Sequence, residues 1–318
     1  MTGASGFLGS ALVRRLVSEH AVVGALSRTM GRLSESAGEG FEFLQCDLSD
    51  AQVTARMMAA FDPEIVFHFA AHPDGGETFS HAQKCIQANT LMTLNALEAF
   101  RLVSGELFVY GDSCKVYGNC DVPYLEAMPA QPISSYAIAK SAGWQLCDLY
   151  SRVHNLSTVS IRPTMIYGPR QSFNLISFVV DCVLDGKREV VLDGGSQTRD
   201  PLYVDDAMNA FVSAAGLGSK LSRRVVNIGG GNERSVLQLA ELLLEIMDAD
   251  LRVVEAPCRT RPTETKRSYC DNHECREMLS WQPHVSLREG LTRTIQYLLQ
   301  SRGRSLHLSA RAAGASAD

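Results

Sequence analysis

Residues 1–9 read Met1-Thr2-Gly3-Ala4-Ser5-Gly6-Phe7-Leu8-Gly9 and run directly into an apolar helical pattern carrying Leu12, Leu16 and Val17. Glycines at this spacing permit a tight turn, close approach of a pyrophosphate and close packing of the helix, whose first N–H groups then face the anion. Gly3, Gly6 and Gly9, with Phe7 and Leu8 between them, are therefore candidate dinucleotide contacts. Such a loop should follow a strand, yet only Met1 and Thr2 precede Gly3. That strand would lie near the middle of its sheet, where its loss exposes two unpaired edges. The first strand is accordingly expected to be missing. A start placed too far downstream is the preferred account, ahead of a replacement segment or an impaired product.

Outward from the loop, apolar runs at 21–27, 41–46, 65–70, 106–111 and 158–161 read as buried parallel strands. Helical patterns at about 9–19, 50–60, 80–102 and 134–154 separate them, the alternation of a Rossmann-like, doubly wound α/β sheet. A dinucleotide-binding domain carrying the catalytic residues is expected over 1–170. A smaller α/β substrate-binding lobe is expected over 171–300, with some segments returning to the main domain. Residues 301–318, rich in Ser, Ala, Arg and Gly, read as a disordered tail.

Composition excludes several classes. The 318 residues are 45% hydrophobic and 20% charged, ordinary for a globular enzyme. With 35 acidic against 30 basic residues, the net charge of -5 gives no general attraction to nucleic acid. No apolar run is long enough to span a membrane and no secretory leader is present, so a cytoplasmic location is expected. The nine cysteines show no zinc or redox-pair spacing, and no metal is expected.

The end of the second strand, counting the missing one, reads Leu26-Ser27-Arg28 and bears on the cofactor. An acidic residue there would hydrogen-bond the ribose hydroxyls of NAD, whereas an arginine can pair with a 2'-phosphate. Ser27 and Arg28 thus favour NADP, with NAD the alternative; Arg32 is a competing cation. Asp47 is a candidate acceptor for the adenine amino group, beside Leu48, and Ala70 and Ala71 leave room for the cofactor.

Ser135-Tyr-Ala-Ile-Ala-Lys140 falls in a helical pattern, so Tyr136 and Lys140 share one face. A free tyrosine titrates near ~10, and a nearby ammonium together with an oxidised nicotinamide would favour the phenolate. Tyr136 could then exchange a proton with a substrate hydroxyl. Ser113 follows the fifth strand, at the carboxyl end of the sheet where ligands bind, and can hold the same substrate oxygen. Ser113, Tyr136 and Lys140 together account for a hydride-transfer site.

These features place the chain in sight of a known group. It resembles the extended short-chain dehydrogenase/reductase family, similar to the NAD-dependent epimerases and dehydratases that act on nucleotide sugars. The resemblance runs from Thr2 to about Tyr297: TGASGFLG at 2–9, Asp47, FAA at 69–71, Asn89, Ser113 with VYG at 116–118 and YAIAK at 136–140. It continues through RP at 162–163, YGP at 167–169, RDPLYVDDAMNAF at 199–211, NIGGG at 227–231, RP at 261–262 and WQP at 281–283. It implies a nucleotide-linked sugar as substrate. Tyr136, Lys140 and Asn89 would also touch the cofactor. Arg199 and Arg261 would hold the diphosphate, and Ser113, Cys114, Lys115, Tyr136 and Asn174 would line the sugar site. The helices at about 80–102 and 134–154 resemble the pair through which family members dimerise, with Leu146 and Leu149 as apolar contacts.

Among reactions on this scaffold, dehydratases that resemble this chain carry an acid directly after the serine, where Cys114 stands here. The enzymes that isomerise and then reduce a keto sugar place a cysteine where Lys115 stands. Keto-sugar reduction and 4-epimerisation with tightly bound NAD need only Ser113, Tyr136, Lys140 and the nicotinamide. The NADP reading puts reduction first and epimerisation second; a 4,6-dehydratase and a non-catalytic cofactor-binding protein rank below both.

Overall fold

The computed structural model describes residues 1–36, 40–72, 76–103, 105–256, 262–306 and 308. Five parallel strands in the first half form most of the main sheet: β1 (Val23–Ser27), β2 (Phe41–Gln45), β3 (Ile65–His68), β4 (Leu107–Gly111) and β5 (Thr158–Pro163). β1 pairs with β2, and β3, β4 and β5 pair in that order. The strand Arg224–Ile228 returns from the second half and adds in parallel beside β5.

The expected gap lies between β1 and β3, and Met1 and Thr2 occupy it. Thr2 bridges in parallel to Leu26 on one side and to His68 on the other. The Met1 nitrogen donates to Gly24 O at 2.8 Å and Leu26 N to Met1 O at 2.8 Å. On the other flank Thr2 N donates to Phe67 O at 2.9 Å and Phe69 N to Thr2 O at 3.2 Å. The first strand is thus reduced to two residues, and among the described residues no other segment takes its place. His68 supports the join. Its ring is fully buried between the Thr2 hydroxyl at 2.8 Å and the Thr93 hydroxyl at 3.0 Å, and burial pushes its pKa down to about 3.

Both faces of the central strands are covered, which is why β1, β3 and β4 are mostly apolar rather than alternating, whereas the edge strand β2 exposes Glu42 and Gln45. In β4, Leu107 and Val109 enter one core with Leu12, Val13 and Phe211, while Phe108 and Tyr110 enter the opposite core with Leu97, Phe100 and Cys147. The second core is supplied by α2 (Ala51–Phe61), α4 (Met92–Arg101) and α5 (Ser135–His154). The first lies under α1 (Phe7–Ser18) and the helix Val204–Leu217.

The helical pattern read as continuous from about 80 to 102 is divided. α3 (Phe79–Ile86) and α4 are joined by one π-helical turn over Gln87–Leu91. Beyond β5 the smaller lobe contains short strand pairs, Met165–Tyr167 with Pro201–Tyr203, Glu189–Asp193 with Arg252–Ala256 and Thr198–Arg199 with Arg234–Ser235. The helices Leu175–Leu184, Val236–Ile246 and Leu287–Ser301 pack with them. Most residues expected as a disordered tail lie outside the described residues, as does Arg261. No described helix is long and apolar enough to cross a membrane.

Candidate active site

The glycine loop makes a cradle that side chains would fill. Gly3 has φ +66, and a Cβ there would stand 2.5 Å from Ala70 N; a Cβ on Gly9 would stand 2.1 Å from Gly3 O. Gly6 caps α1 without a side-chain hydrogen bond, leaving the helix terminus open to an anion. In front of this loop lies an open pocket of about 640 Å³. Gly3, Gly6, Ser27, Arg28, Asp47, Leu48, Ala70 and Ala71 line it. A pocket across the carboxyl ends of β1, β2 and β3, floored by bare backbone, fits a dinucleotide.

Other expected contacts sit elsewhere. Phe7 and Leu8 pack against the core and Gly9 lies under the Gly3 carbonyl. Asn89 is fully buried in the π-helical turn, where its side chain accepts from His72 N at 2.7 Å and donates to His72 O at 3.1 Å. It pins the backbone at the pocket edge rather than lining the cavity. Arg32, the competing cation, also lines the pocket, and lining residues missed in the sequence include Ser5, Thr29, Lys84, Gln87 and Ala88. The last three lie on the inner side of a helical run whose internal break has no compositional signal.

The catalytic candidates converge at the end of β4. Ser113 caps the short helical turn Cys114–Tyr117, its hydroxyl accepting from Lys115 N at 3.2 Å. Ser134 caps α5, placing Tyr136 in its first turn and Lys140 one turn later. Burial pushes the Tyr136 phenol up, and the Asp112 carboxylate adds to the rise, while hydrogen bonding to Ser113 opposes it. Lys140 is buried, with its ammonium donating to Gly111 O at 2.6 Å and standing 4.9 Å from the Tyr110 ring centroid. Burial pushes its pKa down to about 8, with Asp112 acting in the opposite sense. The ammonium is therefore held by the end of β4, beside the tyrosine's helix.

Beneath Ser113 is a buried ionic network. Asp112 receives Arg162 Nε at 2.7 Å, the Ser160 hydroxyl at 2.9 Å and Ser113 N at 2.9 Å. Arg162 also donates to the Tyr117 hydroxyl at 3.0 Å, which donates to Asn227 at 2.9 Å. Sequence reading noted the RP pair at 162–163 but assigned it no role, because its partner Asp112 lies fifty residues away, just past the end of β4.

The expected substrate contacts divide. Cys114 is turned inward, its thiol 3.1 Å from Arg162 O. Lys115 stays exposed, its ammonium 5.7 Å from the Tyr136 ring centroid. Arg199 is paired with Glu264 and donates to Thr265 O at 3.0 Å. Asn174 uses its side-chain oxygen to cap the helix Leu175–Leu184 in a reciprocal capping box with Ser177.

Comparison with known proteins places these features in a wider setting. The family model described as NAD dependent epimerase/dehydratase family matches residues 1–229. The chain is 34% identical over 308 residues to a UDP-glucose 4-epimerase from Mycolicibacterium smegmatis, covering 93% of this chain and 97% of that protein. Its structure is similar to Bacillus cereus UDP-glucuronic acid 4-epimerase in complex with UDP-glucuronic acid and NAD. The TM-score is 0.87 at 26% identity, over 94% of this chain and 98% of the other. It is also similar to Thermus thermophilus UDP-glucose 4-epimerase in complex with NAD, with a TM-score of 0.84 at 26% identity over 93% and 97% of the two chains.

These structures correct the NADP expectation, because the similar solved proteins whose complexes name a nicotinamide cofactor hold NAD. The local electrostatics explain why an arginine misled the sequence reading. Arg28 shares the pocket with Asp47 and helps to hold that carboxylate below its usual range, after the hydrogen bonds from Ser49. Its charge is thus partly answered within the protein. The Ser27 hydroxyl is turned to Thr29 O, and Arg32 is engaged with Arg170 O and Ser172, both at 2.8 Å.

Proposed function

Because this chain belongs to the NAD-dependent epimerase/dehydratase family and is an NAD-dependent enzyme of nucleotide-linked sugars, we propose that it inverts the configuration at C4 of the sugar. The observation that carries this reading is the convergence of Ser113, Tyr136 and Lys140 beside the dinucleotide-shaped pocket, with no acid at position 114. Near full-length similarity to a UDP-glucose 4-epimerase supports it over keto-sugar reduction, the reading first preferred from sequence.

NAD, held by the glycine loop, Asp47 and the Ala70–Ala71 backbone, supplies a reversible hydride acceptor when bound. Tyr136 takes the proton of the sugar 4-hydroxyl and returns it after the keto sugar has presented its other face. Ser113 keeps the same oxygen in hydrogen-bonding reach through both half-reactions, and Lys140 supplies positive charge that favours the phenolate. With Cys114 buried, that side chain is no acid for expelling a hydroxyl from the sugar.

The purified enzyme is expected to release NAD on denaturation and to interconvert UDP-glucose and UDP-galactose without added cofactor. Chromatography of the nucleotide sugars reads the conversion. Stoichiometric consumption of an added reduced nicotinamide would overturn the reading in favour of reduction.

Assembly follows from the outer faces of the helices. Leu149 and Val153 of α5, with Ile86 and Leu91 from α3 and the turn after it, are exposed, whereas Leu146 packs against the core below. A homodimer formed on this face would bury them. Light scattering at micromolar concentration is expected to give twice the chain mass; a monomer there would refute the pairing.

A further inference from the structure

Of the triplet Ser113-Cys114-Lys115, the first hydrogen-bonds Tyr136 and the last holds its ammonium over the Tyr136 ring, while the middle one is buried with its thiol on Arg162 O. Lys115 is thus a cation beside the reacting tyrosine. Among the described residues no carboxylate lies within ion-pair distance of its ammonium, although the chain's other ammonium and guanidinium groups nearby are engaged. Lys140 is bound to Gly111 O, Arg162 to Asp112 and Arg199 to Glu264. Part of the Lys115 side chain meets solvent, yet the protein packed around its ammonium lowers its pKa by desolvation, the like charge of Arg199 adds to this, and Glu264 opposes it. Such a group gains most from an incoming anion.

Resting on the C4 inversion proposed above, we infer that Lys115 recognises a carboxylate on the carbon next to the reacting one, making a nucleotide-linked hexuronate the preferred substrate. With the 4-oxygen of a hexose on Ser113 and Tyr136, the groups nearest the reaction centre are the 3-hydroxyl and the substituent on C5, and of these only the C5 substituent can carry a carboxylate. An ammonium 5.7 Å from the Tyr136 ring centroid is placed to meet it. A hydroxymethyl group offers that ammonium a neutral acceptor. A carboxylate offers it an acceptor that also carries the opposite charge, adding an ion-pair attraction that the hydroxymethyl group lacks. The diphosphate, which carries the larger anionic charge, would lie at the far end of the sugar and draw on other cations.

Calorimetric titration of the NAD-loaded enzyme with UDP-glucuronate, UDP-glucose and UDP separates the possibilities. The parent is expected to bind UDP-glucuronate about tenfold more tightly than UDP-glucose, and Lys115→Met to erase most of that ratio while Lys115→Arg keeps it. UDP affinity should be the same in all three proteins. An unchanged ratio in Lys115→Met overturns the inference, as does an equal loss for UDP, which would place Lys115 on the diphosphate. Turnover is a separate measurement. Epimerisation of UDP-glucose without preference for the uronate defeats this inference and leaves C4 inversion standing. Binding with the expected ratio but without inversion of either sugar defeats the C4 reading and leaves the carboxylate contact.

Discussion

Tyr136→Phe is expected to lower turnover by roughly 100-fold or more while the fold and the retained NAD stay close to those of the parent. The substitution removes one hydroxyl and keeps the ring, so the first turn of α5 and the Ser134 cap are left intact. What disappears is the group that exchanges a proton with the substrate oxygen. Burial makes this hydroxyl a reluctant acid in the structure, with Asp112 adding to the effect and Ser113 opposing it. Its phenolate therefore depends on positive charge brought close, and the residual rate of the variant should lose the pH dependence that this titration imposes. Initial rates across pH, with the NAD content of each preparation measured by absorbance after denaturation, test the expectation. Turnover within a fewfold of the parent would remove Tyr136 from the chemistry.

Arg162→Met should cost about 3–5 kcal/mol of stability, the usual penalty for removing one member of a buried ion pair. Asp112 and Arg162 are 4% and 5% exposed, so neither charge can turn to water when its partner is lost. The damage should reach the site as well, since Asp112 also receives the backbone N–H of Ser113. Adding Asp112→Asn to the arginine variant removes the stranded charge and should recover part of the loss. Urea denaturation of the parent, both single variants and the double variant gives the coupling energy. A loss below about 1 kcal/mol for Arg162→Met would show that the pair contributes little.

The main sheet was legible because its physics is local in sequence. Each of its strands between residues 21 and 163 is a short apolar run, since helices cover both faces, and the helices between them carry their own periodicity. Gly3 could be read because only a bare backbone tolerates its contact with Ala70. Pairs of two or three residues, such as Thr198–Arg199 with Arg234–Ser235, were missed, being too short to show any period. The cofactor reading failed for a related reason. Arg28 stands alone in sequence, but its charge acts in the presence of Asp47, which the fold brings into the same pocket. Asn174 likewise looked available for substrate because the capping duty of its side chain appears only when the helix after it is in place.

The π-helical turn at Gln87–Leu91 works as a gear between two surfaces. Successive residues of an α-helix advance by about 100° around its axis, so a widened turn resets the angular phase between the helices on either side. Before and within it, Lys84, Gln87 and Ala88 meet the dinucleotide pocket; after it, Leu97 and Phe100 meet the core beneath β4. Deleting one residue here would let the two segments fuse into a regular helix, swinging one set through about a hundred degrees relative to the other. The pocket wall and the core wedge are thereby meshed, and neither can be re-indexed alone.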